Sequence, residues 1–350
     1  MNDTIAVRAE ERLPAAVLEA YLRDRLPATG GPFAVRQFDG GYANLTYLVS
    51  FGAHEYVLRR PPLGVVPAGA HDMRREHRVL ATLHAGFPLA PQSFLLCTDA
   101  SVIGADFFVM ERRRGIAFRH DVPAPWRDEP ALLRRVGDML VDTLADLHAV
   151  DPAVVGLGDL GRPEGYVERQ VERWAAQWEA AHVDGLAGAA PAIAWLRAHA
   201  PRARRTALVH NDYKLDNLLL DERDPARAVA VLDWDMCTRG DPLMDLGYLL
   251  ALWSQPGEGD AASAWMPTWR AGFSTRREAA ARYARRSGAA LDDLPWYVAF
   301  NTFRFAAILA QIYRRYVRGQ THDERFAGFG ERVNLLIARV HTSIETGAFV

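Results

Sequence analysis

The octet His210-Asn211-Asp212-Tyr213-Lys214-Leu215-Asp216-Asn217 has the spacing H-x-D-x-K-x-x-N. Lys214 is the single lysine of the chain, against forty arginines, so this position favours a compact ammonium over a guanidinium. Phosphoryl transfer uses a carboxylate to orient or deprotonate the attacking hydroxyl, an amide oxygen to hold a metal ion, and a cation to neutralise the moving phosphate. The octet therefore predicts a loop with Asp212, Lys214 and Asn217 as catalytic residues. A plain polar loop after a strand is the alternative.

A second acidic segment follows sixteen residues after Asn217. The apolar run 229–232 leads into Asp233-Trp234-Asp235, and a turn-like stretch at 221–225 separates it from three leucines at 218–220. This pattern predicts a short hairpin that returns Asp233 toward Asn217. Oxygen donors facing one cavity suit Mg²⁺, which takes few protein ligands and completes its shell with substrate phosphates. Asn217 and Asp233 are the predicted metal ligands. Asp216 and Asp235 are second choices, with bracing of the loop as the alternative for both, and Asp235 is also a candidate substrate contact.

Together the two segments resemble the catalytic and metal-binding loops of the aminoglycoside phosphotransferase and choline kinase group, which is related to the protein kinases. In that group the first loop usually reads H-G-D-x-x-x-x-N, and the second reads I-D-W-x followed by G-D-P-x-x-D, which residues 240–245 match. Asn211 stands where that group has glycine. Asparagine tolerates left-handed backbone geometry better than most residues.

The chain is more similar still to the kinase-like proteins and domains associated with acyl-CoA dehydrogenases. Their loops commonly read H-G-D-[YF]-[RK]-L-D-N and V-L-D-W-E, and the similarity extends to a first hairpin at 36–47 and a third strand at 56–62. The resemblance implies an α+β, bilobal protein-kinase-like fold. Its small antiparallel-sheet N-lobe would occupy residues 1–111, and its mainly helical C-lobe residues 112–350.

Hydrophobic periodicity agrees with this division. It predicts a leading helix at 13–26, strands at 33–38, 46–51, 55–59 and 106–110, and a helix at 72–84. After residue 130 it predicts helices at 130–150, 166–181, 191–200, 244–254, 268–286, 296–318 and 323–346.

The N-lobe is expected to bind ATP, with GTP as an alternative. Gly40 and Gly41 would let backbone N–H groups approach the phosphates, and Asn44 or Thr46 could add side-chain hydrogen bonds. A simple hairpin turn is the other interpretation of the two glycines.

Resemblance to the kinases also implies that Arg59 replaces the lysine that grips the nucleotide phosphates and that Glu76 pairs with it. A guanidinium can bind two phosphate oxygens at once. The same resemblance implies a hinge in which Met110, the carbonyl of Glu111 and the N–H of Arg113 lie against adenine. An ordinary strand end is the other interpretation, and the two are compatible.

The charge of the C-terminal part of the chain indicates which class of acceptor substrate to expect. Residues 261–318 contain ten arginines and three acids, whereas a polycationic aminoglycoside would require a carboxylate-lined pocket. Arg304, Gln311 and Arg315 fall on one face of the predicted helix 296–318 and are the candidate substrate contacts. A solvated basic face is the alternative. An anionic acceptor, such as a hydroxy acid or a hydroxyacyl-CoA, fits the charge better, and the resemblance implies a functional link to an acyl-CoA dehydrogenase.

The composition of the chain limits the kinds of partner and compartment to be expected. A net charge of −2 creates no attraction to nucleic acid or to an anionic membrane. Two cysteines favour a reducing compartment, and no apolar run reaches the roughly twenty residues of a membrane span, so a cytoplasmic location is expected.

The sequence therefore predicts an ATP-dependent small-molecule kinase that uses Mg²⁺ and phosphorylates a hydroxyl of an anionic metabolite. Two alternatives stay open. One is a non-catalytic nucleotide-binding pseudokinase module, because Arg59 and Asn211 depart from the usual pattern. The other is an aminoglycoside O-phosphotransferase.

Overall fold

A six-stranded antiparallel sheet forms the N-lobe in the computed structural model, which describes residues 3–39, 44–64, 72–258 and 264–348. Its order is β1-β2-β3-β4-β6-β5, which confirms the predicted small sheet. Two strands were not predicted, because β1 has only two residues and β5 is a five-residue run without clear alternation. The strands are β1 (Thr4–Ile5), β2 (Phe33–Phe38), β3 (Leu45–Phe51), β4 (His54–Arg60), β5 (Ser93–Cys97) and β6 (Phe107–Glu111).

The two faces of this sheet have different neighbours, because successive side chains of a strand point to opposite sides. One face, which includes Phe51 and Leu58, forms a separate core with α1 (Ala15–Arg23) and α3 (Ala100–Ile103). The other face, which includes Val57 and Phe108, joins α2 (Met73–Leu83) in a core that continues into the C-lobe. The sheet is therefore attached to the C-lobe through its second face.

The C-lobe is mainly helical, as predicted. Apolar side chains repeat at helical spacing along each segment, and α7 is buried on all sides. The helices are α4 (Pro130–Ala149), α5 (Tyr166–Ala180), α6 (Ala190–Ala198), α7 (Leu243–Leu252), α8 (Arg276–Ser287), α9 (Leu294–Val317) and α10 (Phe329–Thr346). None of the helices in the described ranges has both the length and the apolar character required to cross a membrane.

Two of the predicted helices begin later than expected. The prediction of one helix over 268–286 is wrong, because Pro267–Trp269 is a single 3-10 turn and α8 begins only at Arg276. Gly272 separates the two with a φ of 108°, and a Cβ there would lie 2.3 Å from the carbonyl oxygen of Pro130. Likewise, α10 begins at Phe329, after a 3-10 turn at Glu324–Phe326.

Two small antiparallel pairs carry the sequence motifs. The strands β8 (Leu218–Leu220) and β9 (Ala228–Val231) form the predicted hairpin. The strands β7 (Ala207–Val209) and β10 (Thr238–Gly240) form a second pair that was not predicted. The octet therefore lies between β7 and β8, and Asp233 lies between β9 and β10.

Three backbone hydrogen bonds attach the β8–β9 hairpin to preceding segments, and the one between Val231 and Leu89 joins the lobes. After β6 ends, Ile116 exchanges two with Leu220, at 2.9 and 2.8 Å. Gly115 is required beside them, because a Cβ at this position would lie 2.7 Å from the Leu220 oxygen. Val231 N–H donates to the carbonyl of Leu89 at 2.8 Å. The division at residues 111 and 112 stays a prediction.

Candidate active site

The octet starts in a left-handed turn that a buried carboxylate holds. Asn211 has a φ of 65°. The backbone N–H groups of His210 and Asn211 donate to Asp245 Oδ2 and Oδ1, at 2.6 and 2.7 Å. The Asn211 side chain also donates to the carbonyl of Met236 at 3.0 Å and accepts a bond from the Tyr166 hydroxyl at 2.5 Å. Asparagine therefore tolerates the turn and adds two hydrogen bonds that glycine could not make.

Asp245 is the anchor of this turn. It lies in the first turn of α7, is fully buried, and also contacts His148 Nε2 at 3.2 Å. Burial alone would raise the pKa of Asp245, but the bond and charge of His148 and the contacts with His210 outweigh burial and lower it. A charged carboxylate therefore holds the start of the loop.

Three donors converge on the carboxylate of Asp212. Lys214 Nζ lies 3.0 Å from Oδ1 and 2.8 Å from Oδ2. Asn217 Nδ2 donates to Oδ2 and to the main-chain oxygen of Asp212, both at 2.8 Å. The hydroxyl of Tyr248, on α7, donates to Oδ1 at 2.7 Å. Lys214 and Asn217 thus both contact Asp212, and Tyr248 is a fourth member that the sequence did not indicate.

Lys214 keeps its positive charge in this setting. Burial disfavours its ammonium, but the charge and hydrogen bonds of Asp212 outweigh that effect and raise the pKa of Lys214 above its ordinary value. The ammonium therefore remains a fixed positive charge beside the Asp212 carboxylate.

Arg59 links the N-lobe to the second acidic segment. Its Nη1 pairs with Glu76, as predicted, and its Nη2 lies 2.9 Å from Asp233 Oδ1, which was not predicted. Burial raises the pKa of Glu76. Burial would also raise the pKa of Asp233, but the charge and hydrogen bond of Arg59 lower it below its ordinary value. One guanidinium therefore bridges two carboxylates, one from the N-lobe helix α2 and one from the second acidic segment.

The predicted metal ligands lie in adjacent segments. Leu232 N–H donates to the carbonyl of Asn217 at 2.8 Å, and the Leu232 carbonyl contacts His210 Nε2 at 2.9 Å. Like Asn211, Asp233 has a left-handed φ, of 68°. The amide nitrogen of Asn217 is bonded to Asp212, so its amide oxygen is the atom suited to a cation.

The charge balance at these residues fits a divalent cation. Burial and the neighbouring Asp233 raise the pKa of Asp235 to about 6, which marks a local excess of carboxylates. Within 3–39, 44–64, 72–258 and 264–348, no three His, Cys, Asp or Glu side chains converge as a ready-made metal site. Proteins usually bind Mg²⁺ through one or two carboxylates, and substrate phosphates and water complete its coordination shell. Asn217 and Asp233 therefore suit Mg²⁺.

The other predicted nucleotide contacts are divided between two places. Thr46 lies directly across from Arg59 in the β3–β4 register, and buried Asn44 immediately precedes β3. Gly40 and Gly41 lie outside the described residues.

The predicted hinge residues lie at and after the end of β6. Met110 is buried, and the N–H of Glu111 donates to the carbonyl of Gln92 at 2.8 Å. Arg113 pairs with the Glu111 carboxylate at 2.9 Å. The contacts of these residues with a nucleotide stay predictions.

The candidate substrate residues also lie in two different places along α9. Arg304 is buried, its Nη2 donates to the carbonyl of Asn211 at 2.6 Å, and its guanidinium lies over the rings of Tyr248 at 4.7 Å and Trp174 at 5.2 Å. It braces the catalytic loop from inside the C-lobe. Gln311 and Arg315 line a cavity two to three turns further along α9.

Relatives of this chain are found among larger proteins. Acyl-CoA dehydrogenase family member 10 of Mus musculus is 34% identical over 323 residues, which are 91% of this chain and 30% of that protein. Acyl-CoA dehydrogenase family member 11 of Gallus gallus is 33% identical over 348 residues, which are 95% of this chain and 44% of that protein. The chain thus spans less than half the length of these relatives.

Solved structures show the same fold. A protein of Ralstonia eutropha assigned provisionally as an aminoglycoside phosphotransferase is 30% identical, with a TM-score of 0.82 over 96% of this chain and 99% of that one. Choline kinase of Cryptosporidium parvum, at 10% identity and a TM-score of 0.60 over 95% of this chain and 97% of that one, shares the fold alone. Residues 34–297 match the phosphotransferase enzyme family. The chain therefore belongs to that family.

Proposed function

We propose that this protein is an ATP-dependent kinase that transfers the γ-phosphate to a hydroxyl of a small anionic metabolite, with a hydroxyacyl-CoA or a hydroxy acid as the leading acceptor. The observation that carries the proposal is the Asp212 carboxylate, which accepts hydrogen bonds from Lys214, Asn217 and Tyr248. ATP is supported by the aminoglycoside phosphotransferase APH(4)-Ia, which shares the fold with a TM-score of 0.59 and was solved with AMP-PNP and hygromycin B. GTP is an alternative donor.

Each residue has a role that follows from its position. Asp212 orients the acceptor hydroxyl and accepts its proton. Lys214 neutralises charge that develops on the transferred phosphate, and Arg59 grips the phosphates of the nucleotide. Asn217 and Asp233 would hold Mg²⁺, which supplies charge neutralisation at the phosphates when bound. Positioning and electrostatics thus provide most of the rate.

An anionic acceptor is supported by the charges along α9. Gln311 and Arg315 line a cavity whose lining includes three arginines and no acid. A polycationic aminoglycoside would be repelled there, which argues against antibiotic resistance as the function. The names of the relatives support a functional link to an acyl-CoA dehydrogenase.

A pseudokinase module is the second candidate, because arginine replaces the usual lysine at position 59. The geometry favours catalysis over this alternative. Arg59 makes the pair with Glu76 that the phosphate-binding lysine of a kinase makes, and the contacts of Asn217 with Asp212 and of Arg59 with Asp233 support a catalytic role.

The test is a product assay with matched variants. Purified protein is incubated with Mg²⁺ and ATP against hydroxyacyl-CoAs, hydroxy acids, choline and aminoglycosides, and phosphorylated products are identified by mass spectrometry. We expect product from an anionic acceptor, loss of product in EDTA, and a fall in kcat of about a hundredfold or more for Asp212→Asn.

Asp216→Asn is the matched control in the same loop. Asp216 is partly exposed and contacts Arg119 at 3.6 Å, which supports bracing of the loop over its second-choice role as a metal ligand, so this variant should keep nearly wild-type turnover. Measurable ATP binding without product from any acceptor would favour the pseudokinase, and wild-type turnover in Asp212→Asn would refute the role of Asp212.

A further inference from the structure

The first turn of α2 contacts the backbone that follows the predicted metal ligand Asp233. Residues 233–237, called the metal segment below, directly precede β10. Arg75, on α2, donates twice to the carbonyl of Cys237 at the end of this segment, from Nε at 3.2 Å and from Nη2 at 2.8 Å. A side chain of the N-lobe therefore binds the main chain of the C-lobe next to the predicted metal site.

This contact accounts for the guanidinium of Arg75. Its neighbour Arg74 is exposed and pairs with Asp106 at 2.9 Å. Arg75 itself is half-buried, and it pairs with no acid in the part of the chain that the structure describes. A guanidinium presents several N–H donors from one rigid plane, and a carbonyl oxygen has two lone pairs that can accept two of them. The double bond to Cys237 therefore fixes the orientation of Arg75 as well as its distance.

The metal segment has an unusual backbone that its surroundings must fix. Asp233 has a φ of 68°, and a residue with a side chain keeps such a conformation only where its neighbours hold it. From the C-lobe, Asn211 Nδ2 donates to the carbonyl of Met236 at 3.0 Å. From the N-lobe, Arg75 binds the next carbonyl, that of Cys237. The two lobes thus fix consecutive carbonyls of the same segment.

The position of α2 against the metal segment matters for the bridge that Arg59 makes. Arg59 pairs with Glu76, the residue after Arg75, and its Nη2 lies 2.9 Å from Asp233 Oδ1. Because the guanidinium is a rigid plane, it can contact both carboxylates only if α2 and the metal segment keep one separation. The contact of Arg75 with Cys237 joins the same two elements one residue away from Glu76.

We propose that Arg75 is a positioning residue for the metal and nucleotide sites. It fixes the metal segment against α2, so that Asp233 and Arg59 are already in their places when the metal ion and the nucleotide bind. The inference rests on the proposed function for the identity of these ligands, and it extends that function to a residue that contacts neither of them. Removing a group that orients a metal ligand typically lowers metal affinity or activity by about 10- to 100-fold.

A binding experiment tests this role without the reaction. Calorimetry measures the Kd of AMP-PNP in EDTA and in Mg²⁺, and the ratio of the two values reports the contribution of the metal site. Arg75→Met keeps an unbranched side chain without donors and should lower this ratio by about tenfold. Arg75→Lys keeps a cationic donor and should recover part of the loss. Arg74→Met, which removes the exposed neighbouring arginine, should leave the ratio at the wild-type value.

Hydrogen exchange of the protein without metal or nucleotide provides a second measurement. Amides in peptides that cover the metal segment should exchange about tenfold faster in Arg75→Met, while peptides from α8 exchange as in wild type. Faster exchange in the metal segment alone shows a local effect and excludes a general loss of stability.

The outcomes separate this role from the proposed reaction. If no acceptor is phosphorylated but Arg75→Met lowers the Mg²⁺ ratio and Arg74→Met does not, the proposed function fails and the role of Arg75 stands. If Arg75→Met keeps both the wild-type ratio and the wild-type exchange of the metal segment, the role of Arg75 is refuted.

Discussion

Tyr248 is the side chain that completes the coordination of Asp212. Its hydroxyl donates to Oδ1 at 2.7 Å, and burial raises the pKa of Tyr248, which keeps the donor proton in place. Arg304 lies over its ring at 4.7 Å and holds the ring against the loop. Tyr248 thus acts through Asp212 as a positioning residue.

We predict that Tyr248→Phe lowers kcat by about 10- to 100-fold while the KM for ATP changes little. The variant deletes one hydrogen bond to a charged group, which contributes about 1.5–3 kcal/mol. Steady-state kinetics checks this. Tyr213→Phe is the matched control, because its buried hydroxyl donates to the Leu140 carbonyl at 2.8 Å and not to Asp212. Wild-type kcat in Tyr248→Phe would show that the bond is not used in catalysis.

For single residues, the sequence predicted the members of the site that are close together along the chain, but it did not predict the contacts made by residues far from the octet. The spacing within the octet predicted the cluster of Asp212, Lys214 and Asn217, because a short loop brings such residues together. Tyr248 lies in a helix that looks like ordinary apolar core in the sequence, and Arg304 was predicted as a substrate contact and not as the brace of the loop. Only tertiary packing brings them to the loop, and a pattern of spacing contains no information on that packing.

Among the elements, α7 contributes most to the site, because its first turn carries the anchor of the catalytic loop. Asp245 accepts N–H groups from His210 and Asn211 and contacts His148, all inside the C-lobe core. Its match to the G-D-P-x-x-D pattern was visible in the sequence. The pattern did not indicate which backbone groups the carboxylate would hold.

We predict that Asp245→Asn lowers the free energy of unfolding by about 3 kcal/mol at pH 7, because it removes a buried charge from its partners. The pKa of Asp245 is lowered in the folded protein. Its contribution is therefore present above the unfolded pKa of about 3.9 and is lost as pH falls through the folded pKa. Urea unfolding at pH 7, 5, 4 and 3 measures this. The difference between wild type and variant should shrink below about pH 4, and a constant difference down to pH 3 contradicts the assignment.

Element ends show a second limit of sequence patterns. Apolar spacing located the core of each C-lobe helix, but it extended α8 across Gly272 and back to residue 268. The sequence contained a correcting signal, since Thr275 and Glu278 form a capping box that marks the first turn of α8. Capping residues and glycines therefore predict helix ends better than periodicity does.

For the molecule as a whole, the shared core determines whether the lobes unfold together. Phe108 belongs to the core that runs from the sheet into the C-lobe, whereas Phe51 belongs to the separate core on the other face of the same sheet. All nine tryptophans lie at or beyond residue 126, so their fluorescence reports only on the C-lobe. This distribution allows unfolding of the C-lobe to be observed while the N-lobe is changed.

We predict that Phe51→Ala, far from every tryptophan in sequence, shifts the tryptophan-fluorescence transition to lower denaturant together with the far-UV circular dichroism transition. A buried Phe→Ala change costs about 3–5 kcal/mol, and the sheet, which has the separate core on one face and the shared core on the other, transmits this loss to the C-lobe. Phe108→Ala, in the shared core, should shift both transitions by a similar amount. If Phe51→Ala leaves the fluorescence transition at the wild-type position while Phe108→Ala moves it, the N-lobe unfolds on its own and the shared face does not couple the lobes.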